Sequence, residues 1–329
     1  MIRFGIVGFG LHAVKRMMPG FGYSENCRVV ALSRRDLAQA RESAREFGVP
    51  LAFDSVDELC RHPEVDAVFV TTPNVCHLGD VLTAVKHGKA VLCEKPMAMN
   101  AEECRRMVQA AKEAGVKLGV AQVFRFEDTV NYVRKRVDSG ELGKIVLARA
   151  SFAYPGRNSV RRWINDRATG GGTVADVAVH CIDALRYVLR DEVVRVDAQT
   201  RGDEASGDVD ASGALVLRFS QGTLATVMVT MRAAYRTSLE LVGEGGSVSG
   251  ENAFSVDWPV QVVVSSDGKA VETREFNNQR AYGKMLDGFA DWMENGREFA
   301  AVGEEGLRNQ LIIDAAYESA ASGRTVNLS

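Results

Sequence analysis

Arg3-Phe4-Gly5-Ile6-Val7-Gly8-Phe9-Gly10-Leu11-His12-Ala13 decides the fold class. A short apolar run that stops at glycines ahead of a helix-length segment reads as a buried strand, a tight turn and a helix. Gly8-Phe9-Gly10-Leu11-His12-Ala13 fits G-x-G-x-x-A. In that pattern the glycines turn the chain sharply and let its backbone approach a pyrophosphate at the helix N-terminus. Glycine turns are common, so the pattern alone is weak. Its setting is stronger: a first strand before it, a first helix after it, and a second strand ending about 20 residues on.

Working outward, Arg28–Leu32 reads as the second strand. Leu37–Phe47 is rich in Ala, Arg and Glu, hence helical, and Gly48-Val49-Pro50 ends it. Asp66–Thr71 is a further strand, His77–His87 a helix, Ala90–Glu94 a strand, Ala101–Ala114 a helix and Val116–Gln122 a strand. Strands separated by helices predict a doubly wound, parallel α/β sheet, the Rossmann arrangement, over residues 1–122. From 123 to 329 the character changes. Phe124–Ser139 predicts a connecting helix, Lys144–Tyr154 a strand and Val174–Leu189 a helix. Val193–Thr200, Gly213–Phe219, Leu224–Met231 and Ser238–Val242 predict strands. Turns at Ser220–Gly222, Gly243–Gly246 and Ser266–Gly268 are hairpin chemistry, and two helices, Ala281–Asn295 and Glu304–Ser322, close the chain. The expectation is an α+β domain on an open, mostly antiparallel sheet. Arg201–Asp210 reads as a polar, mobile loop.

A length of 329 residues suits two domains, and 46% apolar with 25% charged residues is ordinary globular composition. The net charge of −3, with both signs interspersed, argues against a nucleic-acid or anionic-membrane partner. The most apolar stretch, Ala214–Met231, is broken by Arg218, Ser220, Gln221 and Gly222, so no bilayer span is expected. Ile2 already opens a buried strand, which speaks against a signal peptide. Six cysteines lie singly with no C-x-x-C. A soluble, cytoplasmic protein is the expectation.

The end of the second strand selects the cofactor. NAD sites usually carry an acid there for the ribose 2′-OH, but this chain has Ser33-Arg34-Arg35. A hydroxyl beside a guanidinium suits a 2′-phosphate, so NADP is expected, with Asp36 the group that would serve NAD. Glu94-Lys95-Pro96 follows a strand at the sheet's carboxyl edge, where a lysine can polarise an oxygen. Gly170-Gly171-Gly172 precedes Asp176 and His180, which at i,i+4 share one helix face, with Asp183 one turn further on. Histidine suits proton exchange near neutrality, and a carboxylate can orient it; an isolated histidine is more often a core residue. The glycines would let a ligand approach the helix start. His12, His62 and His87 have no partner at ligand spacing, and Cys76-His77 has no second pair, so no metal is expected.

Together these pieces resemble the glucose–fructose oxidoreductase/inositol dehydrogenase/rhizopine catabolism (Gfo/Idh/MocA) family, nearly end to end. The resemblance rests on Gly5–Gly10, Thr72-Pro73-Asn74 with His77, Gly88–Pro96, Arg125-Phe126, Gly170–Asp183 and Ala315–Gly323. It departs at Ala178, where the family usually has glycine, and slightly tighter packing is expected there. The resemblance implies that Lys95 contacts nicotinamide and the reacting oxygen, that Asp176 binds substrate and that His180 exchanges the proton. It places Gly8, Phe9, Gly10, Leu11, Ser33, Arg34, Thr72, Pro73, Asn74, His77, Glu94 and Gln122 at the cofactor. Trp163, after Arg161-Arg162, would lie near cofactor and substrate, and Arg125 near substrate. The implied protein is an NADP(H)-dependent oxidoreductase of a sugar, polyol or related carbonyl, working as a homodimer or homotetramer. Two rivals share the fold: a redox-neutral glycosidase holding NAD tightly, and a non-catalytic sensor of nucleotide or sugar. The presence of both Lys95 and His180 counts against the sensor.

Overall fold

The structure is a computed structural model and describes residues 1–156 and 162–328, with Arg162 described by its backbone alone. The chain divides into two compact units: Met1–Val123 with Arg280–Arg308, and Phe124–Gln279 with Asn309–Ser329.

In the first unit, strands β1 (Ile2–Val7), β2 (Cys27–Ser33), β3 (Leu51–Phe53), β4 (Ala67–Val70), β5 (Ala90–Cys93) and β6 (Leu118–Val120) form one sheet in the order β3-β2-β1-β4-β5-β6. All pairings are parallel. Helices α1 (Met18–Tyr23), α2 (Leu37–Phe47), α3 (Val56–Arg61), α4 (Asn74–Lys86) and α5 (Ala101–Ala114) connect them. Strands β4 and β5 are buried at every residue, which is why their sequences are unbroken apolar runs. Helix ends follow local chemistry. The Asp36 carboxylate accepts from the Gln39 N–H to open α2, and Asn100 does the same for Glu103 in α5. Gly48 and Gly115, both at φ +66°, close those helices in the left-handed region. Strand order reverses between β1 and β4, the switch point at whose carboxyl edge such sheets bind ligands. The expectation did not include β3 or α3, which are too short to show a hydrophobic period.

The expected second domain began at 123, but Arg280–Arg308 packs with the first unit. The reason is the edge strand β6. The Val120 N–H donates to Ala301 O at 2.8 Å, and the Phe289 ring lies 5.9 Å from Phe4. An apolar stripe on a helix does not say which sheet it will cover.

In the second unit a nine-stranded sheet runs β14-β13-β12-β11-β7-β10-β9-β8-β15. Its strands are β7 (Ile145–Pro155), β8 (Val193–Arg201), β9 (Ser212–Phe219), β10 (Leu224–Thr230), β11 (Arg232–Gly243), β12 (Ser247–Glu251), β13 (Val260–Ser266), β14 (Lys269–Phe276) and β15 (Val326–Asn327). Only the β10–β7 pairing is parallel. Burial alternates residue by residue along β9 and β10, so one face is covered and the other open. Val216 on β9, Leu224 and Met228 on β10, and Leu147 on the neighbouring β7 are exposed. Asp267 and Gly268, at φ +50° and +74°, make the two-residue turn between β13 and β14. The sequence marks the turns around β12–β14 but not the strands themselves; β14 is charged and mostly exposed.

Helices α6 (Asp128–Asp138) and α7 (Val179–Leu189) belong to this unit, α8 (Ala281–Asn295) to the first, and the division falls within α9 (Gly303–Ser322). The helix expected from Phe124 is interrupted by extended Glu127 (φ −75°, ψ 140°), with a single 3₁₀ turn at Val123–Phe126 before it. The polar loop at 201–210 is anchored at a few points. Ser206, Val209 and Asp210 are buried, and Asp203 pairs with Arg232 at 2.7 Å.

A Cβ added at Gly119 would lie 2.8 Å from the Phe299 ring and 3.1 Å from that of Phe289. Both rings are fully buried. Gly119→Ala should therefore lower stability by about 1–3 kcal/mol, read as a fall in thermal unfolding temperature. An unchanged temperature would mean that β6 and its covering rings separate without cost.

Candidate active site

The glycine loop after β1 is shaped by its neighbours. Gly8 adopts φ +81°, and a Cβ there would lie 2.5 Å from Thr72 Cγ2, so no other residue fits. Gly10 is different: its Cβ would meet only Gly8 O at 3.7 Å, leaving the outer side of the turn open to a ligand. The Phe9 N–H donates to Ser33 O at 2.8 Å, and the Phe9 ring packs edge-on to Phe47 at 5.3 Å, so this side chain is core. Leu11 is 41% exposed. Beyond β2, Arg34 donates to Ser43 Oγ at 2.8 Å and Gln39 Oε1 at 2.9 Å, which fixes the guanidinium just past the strand end. Arg35 is exposed, and Asp36 is spent on its helix cap. Gln122 is buried, and its Nε2 has no partner among the described residues. An open glycine turn, a fixed cation at the selector position and an unused buried amide fit a dinucleotide.

The loop carrying Lys95 is held on two sides. Glu94 is buried, with Oε1 2.8 Å from His12 Nε2 and Oε2 accepting from the Lys95 N–H at 3.1 Å. Burial opposes its ionisation, but His12 and Lys95 outweigh that and hold the carboxyl below its ordinary range. His77, in the first turn of α4, is fully buried. Its Nε2 lies 2.8 Å from Thr72 O, and its Nδ1 lies 3.1 Å from Pro96 O and 3.3 Å from Met97 O. With both ring edges against its own backbone, the imidazole is not presented to a cofactor, against the expectation. Burial lowers its pKa. Asn74 is buried, Thr72 donates to Asp80 Oδ2 at 2.7 Å, and Pro73 precedes α4.

In the second unit, Asp176 lies in a π turn (Val174–Ala178) that runs directly into α7, which carries His180. Such turns widen the helix locally and recur at functional sites. The Tyr154 hydroxyl donates to Asp176 Oδ2 at 2.7 Å. Tyr154 was missed because nothing in β7's sequence signals which helix it faces. The His180 ring packs 4.5 Å from Phe124 and 6.1 Å from Phe152, with Phe254 stacked on Phe124 at 5.0 Å. Ala178 is fully buried.

Two expectations are corrected here. The triple glycine does not open the helix start to a ligand. A Cβ on Gly171 would lie 2.4 Å from Ile164 O, and one on Gly172 2.4 Å from Asp210 Oδ1. The helix N–H groups are taken: Val174 donates to Asp210 Oδ2 at 2.8 Å and Ala175 to Tyr317 Oη at 3.3 Å. Arg125 is not displayed to a substrate but buried against Asp183, with Nε–Oδ2 2.9 Å and Nη2–Oδ1 2.7 Å. Asn309 donates to the same carboxylate at 2.7 Å. Trp163 is half-buried in a 3₁₀ turn (Arg162–Asn165), while Arg161 and the Arg162 side chain lie outside the described residues. Glu127, also missed, is fully buried, and burial pushes its carboxyl well above the ordinary range.

Residues 2–122 match an oxidoreductase family with an NAD-binding Rossmann fold, and residues 130–249 match the GFO/IDH/MocA C-terminal domain. The chain belongs to the GFO/IDH/MocA family, as a dehydrogenase or reductase whose first domain binds NAD(P). It is 30% identical to the 1,5-anhydro-D-fructose reductase of Ensifer adhaerens, over 100% of this chain and 99% of that protein. It is 31% identical to the D-xylose 1-dehydrogenase (NADP(+)) 2 of Haloferax volcanii, over 99% of each. The aldose-aldose oxidoreductase of Caulobacter crescentus, solved with glycerol, superposes with a TM-score of 0.92 at 28% identity, covering 99% of both chains.

Removing Arg125 would leave Asp183 charged and buried, which typically costs 3–5 kcal/mol. Arg125→Met should therefore lower the denaturant midpoint by an amount equivalent to about 3 kcal/mol or more. A loss below about 1 kcal/mol would show that Asn309 alone satisfies the carboxylate.

Proposed function

We propose that this protein is an NADP(H)-dependent oxidoreductase acting on a hydroxyl or carbonyl of a sugar, polyol or related compound. The observation that carries the reading is the His180–Asp176–Tyr154 cluster, in a chain whose other unit holds the open glycine turn and Lys95. The bound dinucleotide supplies the hydride donor or acceptor. Lys95 polarises the substrate oxygen and stabilises its partial negative charge, an oxyanion-type role. His180 exchanges the proton on that oxygen. Asp176, oriented by the Tyr154 hydroxyl, accepts from a substrate hydroxyl. The Phe124 and Phe152 rings beside His180 favour a substrate with an apolar ring face, as a pyranose has. The relatives named for 1,5-anhydro-D-fructose and D-xylose support the same substrate class. The open sheet face, with Leu147 and Met228 more than half exposed, supports assembly as a homodimer or homotetramer. The expected setting is cytoplasmic.

The test is a panel of aldoses, ketoses and inositols with NADP+ or NADPH, followed by nicotinamide absorbance. A member of the panel should be turned over, and silence across all of it overturns the reading. With that substrate, His180→Asn should depress the chemical step by about 10²–10⁴-fold and remove one limb of the pH–rate profile. Lys95→Ala should cripple turnover while cofactor affinity stays within roughly tenfold. A surviving limb of unchanged midpoint would give the proton to another group.

The fixed Arg34 and the occupied Asp36 support NADP over NAD. In fluorescence titration NADPH should bind more tightly than NADH. Arg34→Ala should weaken NADPH by about tenfold or more and leave NADH nearly untouched, because a charge-assisted hydrogen bond is worth roughly 1.5–3 kcal/mol. Ser33→Asp should reverse the preference. Equal affinities in the unmodified protein would remove Arg34 from the site.

A further inference from the structure

His77 lies between two loops that belong to neighbouring strands. Strand β4 pairs with β5, Val70 opposite Cys93, and the chain leaves each strand toward the same edge of the sheet. The Nε2 edge of the ring meets the loop after β4 at Thr72 O, 2.8 Å away. The Nδ1 edge meets the loop after β5 at Pro96 O and Met97 O, 3.1 and 3.3 Å away. These carbonyls directly follow Lys95. The same loop after β4 is wedged against the glycine turn through Thr72 and Gly8, and Thr71 Oγ1 donates to Val7 O and Gly8 O at 3.1 and 3.0 Å. The imidazole thus completes a chain of contacts running from Gly8 through Thr72 to the lysine loop.

We propose that His77 is a positioning residue for Lys95, a clamp whose Nδ1 edge sets the backbone of residues 95–97. It acts through that backbone and not as a cofactor ligand. The proposal rests on the role given above to Lys95, but its geometry can be tested without turnover. Burial keeps the ring neutral, with a single N–H; carried on Nδ1, that hydrogen is shared by Pro96 O and Met97 O, and displacing the lysine loop would strand a buried donor.

The two edges can be removed separately. The amide nitrogen of asparagine reproduces the Nδ1 edge, and that of glutamine the Nε2 edge. His77→Asn therefore keeps the donor toward Pro96 O, while His77→Gln withdraws it and extends its amide toward Thr72 O instead. Hydrogen exchange of the cofactor-free protein, read by mass spectrometry on a peptide spanning Glu94–Ala98, reports the loop directly. Exchange there should rise at least tenfold in His77→Gln and stay within about threefold of the parent in His77→Asn, with both variants folded by circular dichroism. In turnover, His77→Gln should lose kcat about tenfold or more at unchanged NADPH affinity, with His77→Asn restoring most of it. Equal exchange in the two variants overturns the clamp, whatever the turnover. So does weakened NADPH binding with kcat retained, which would make His77 a cofactor ligand. Normal exchange behaviour in a protein inactive on every substrate would instead count against the oxidoreductase reading alone.

Discussion

The close approach of Gly8 to Thr72 is the constraint on which the first unit's chemistry depends. With a Cβ excluded at 2.5 Å, the loop after β1 and the loop after β4 touch backbone to side chain, and neither can relax without the other. Thr71 and Thr72 then serve as a bridge: one donates to the carbonyls of β1 and its turn, the other is anchored by Asp80. His77 and Glu94 extend the bridge to the loop after β5. The turn that approaches a dinucleotide and the loop that carries Lys95 are thereby parts of one interlocked edge. Such preorganisation is what an enzyme needs when its residues align a cofactor that carries the reactive chemistry.

The second unit solves a different problem. A histidine and an aspartate are kept nine-tenths or more buried, where each unsatisfied polar group would be costly. The solution is local and aromatic. Asp176 is met by the Tyr154 hydroxyl from β7, and the imidazole of His180 lies on phenylalanine rings. The helix start, ordinarily an anion site, is closed internally by Asp210 and Tyr317. Gly172 leaves room for those groups and Gly171 for the Ile164 carbonyl, so the site's polar character comes from side chains, not from the helix dipole. Arg125 and Asp183 contribute below this surface as a buried pair.

Local signals were reliable where one element's own chemistry decides its limits. Leu37–Phe47 and Ala101–Ala114 were read to the residue, because helical composition and the flanking cap and glycine residues are local to the segment. Short or exposed elements were not legible: β3 has three residues and β14 is charged along its length. For the site, Lys95, Asp176 and His180 were legible through motif spacing. Tyr154 was not, since its relevance depends on which helix crosses β7. His77 and Arg125 were legible as special but misread in role, because a polar residue in a motif looks the same whether it faces a ligand or a buried carbonyl.

By itself, then, the sequence determined the parallel α/β half, the open and mostly antiparallel second sheet, the dinucleotide turn and the lysine and histidine that carry the proposed chemistry. These depend on periodicity, glycine placement and short-range spacing, all of which are properties of neighbouring residues. The tertiary structure alone decided that residues 280–308 return to cover β6, that Asp210 and Tyr317 fill the space beside Gly172, and that His77 spans two loops. Each of these joins groups far apart in the chain, through steric fit and the demand that buried polar atoms find partners, and no local pattern encodes which distant group will meet that demand.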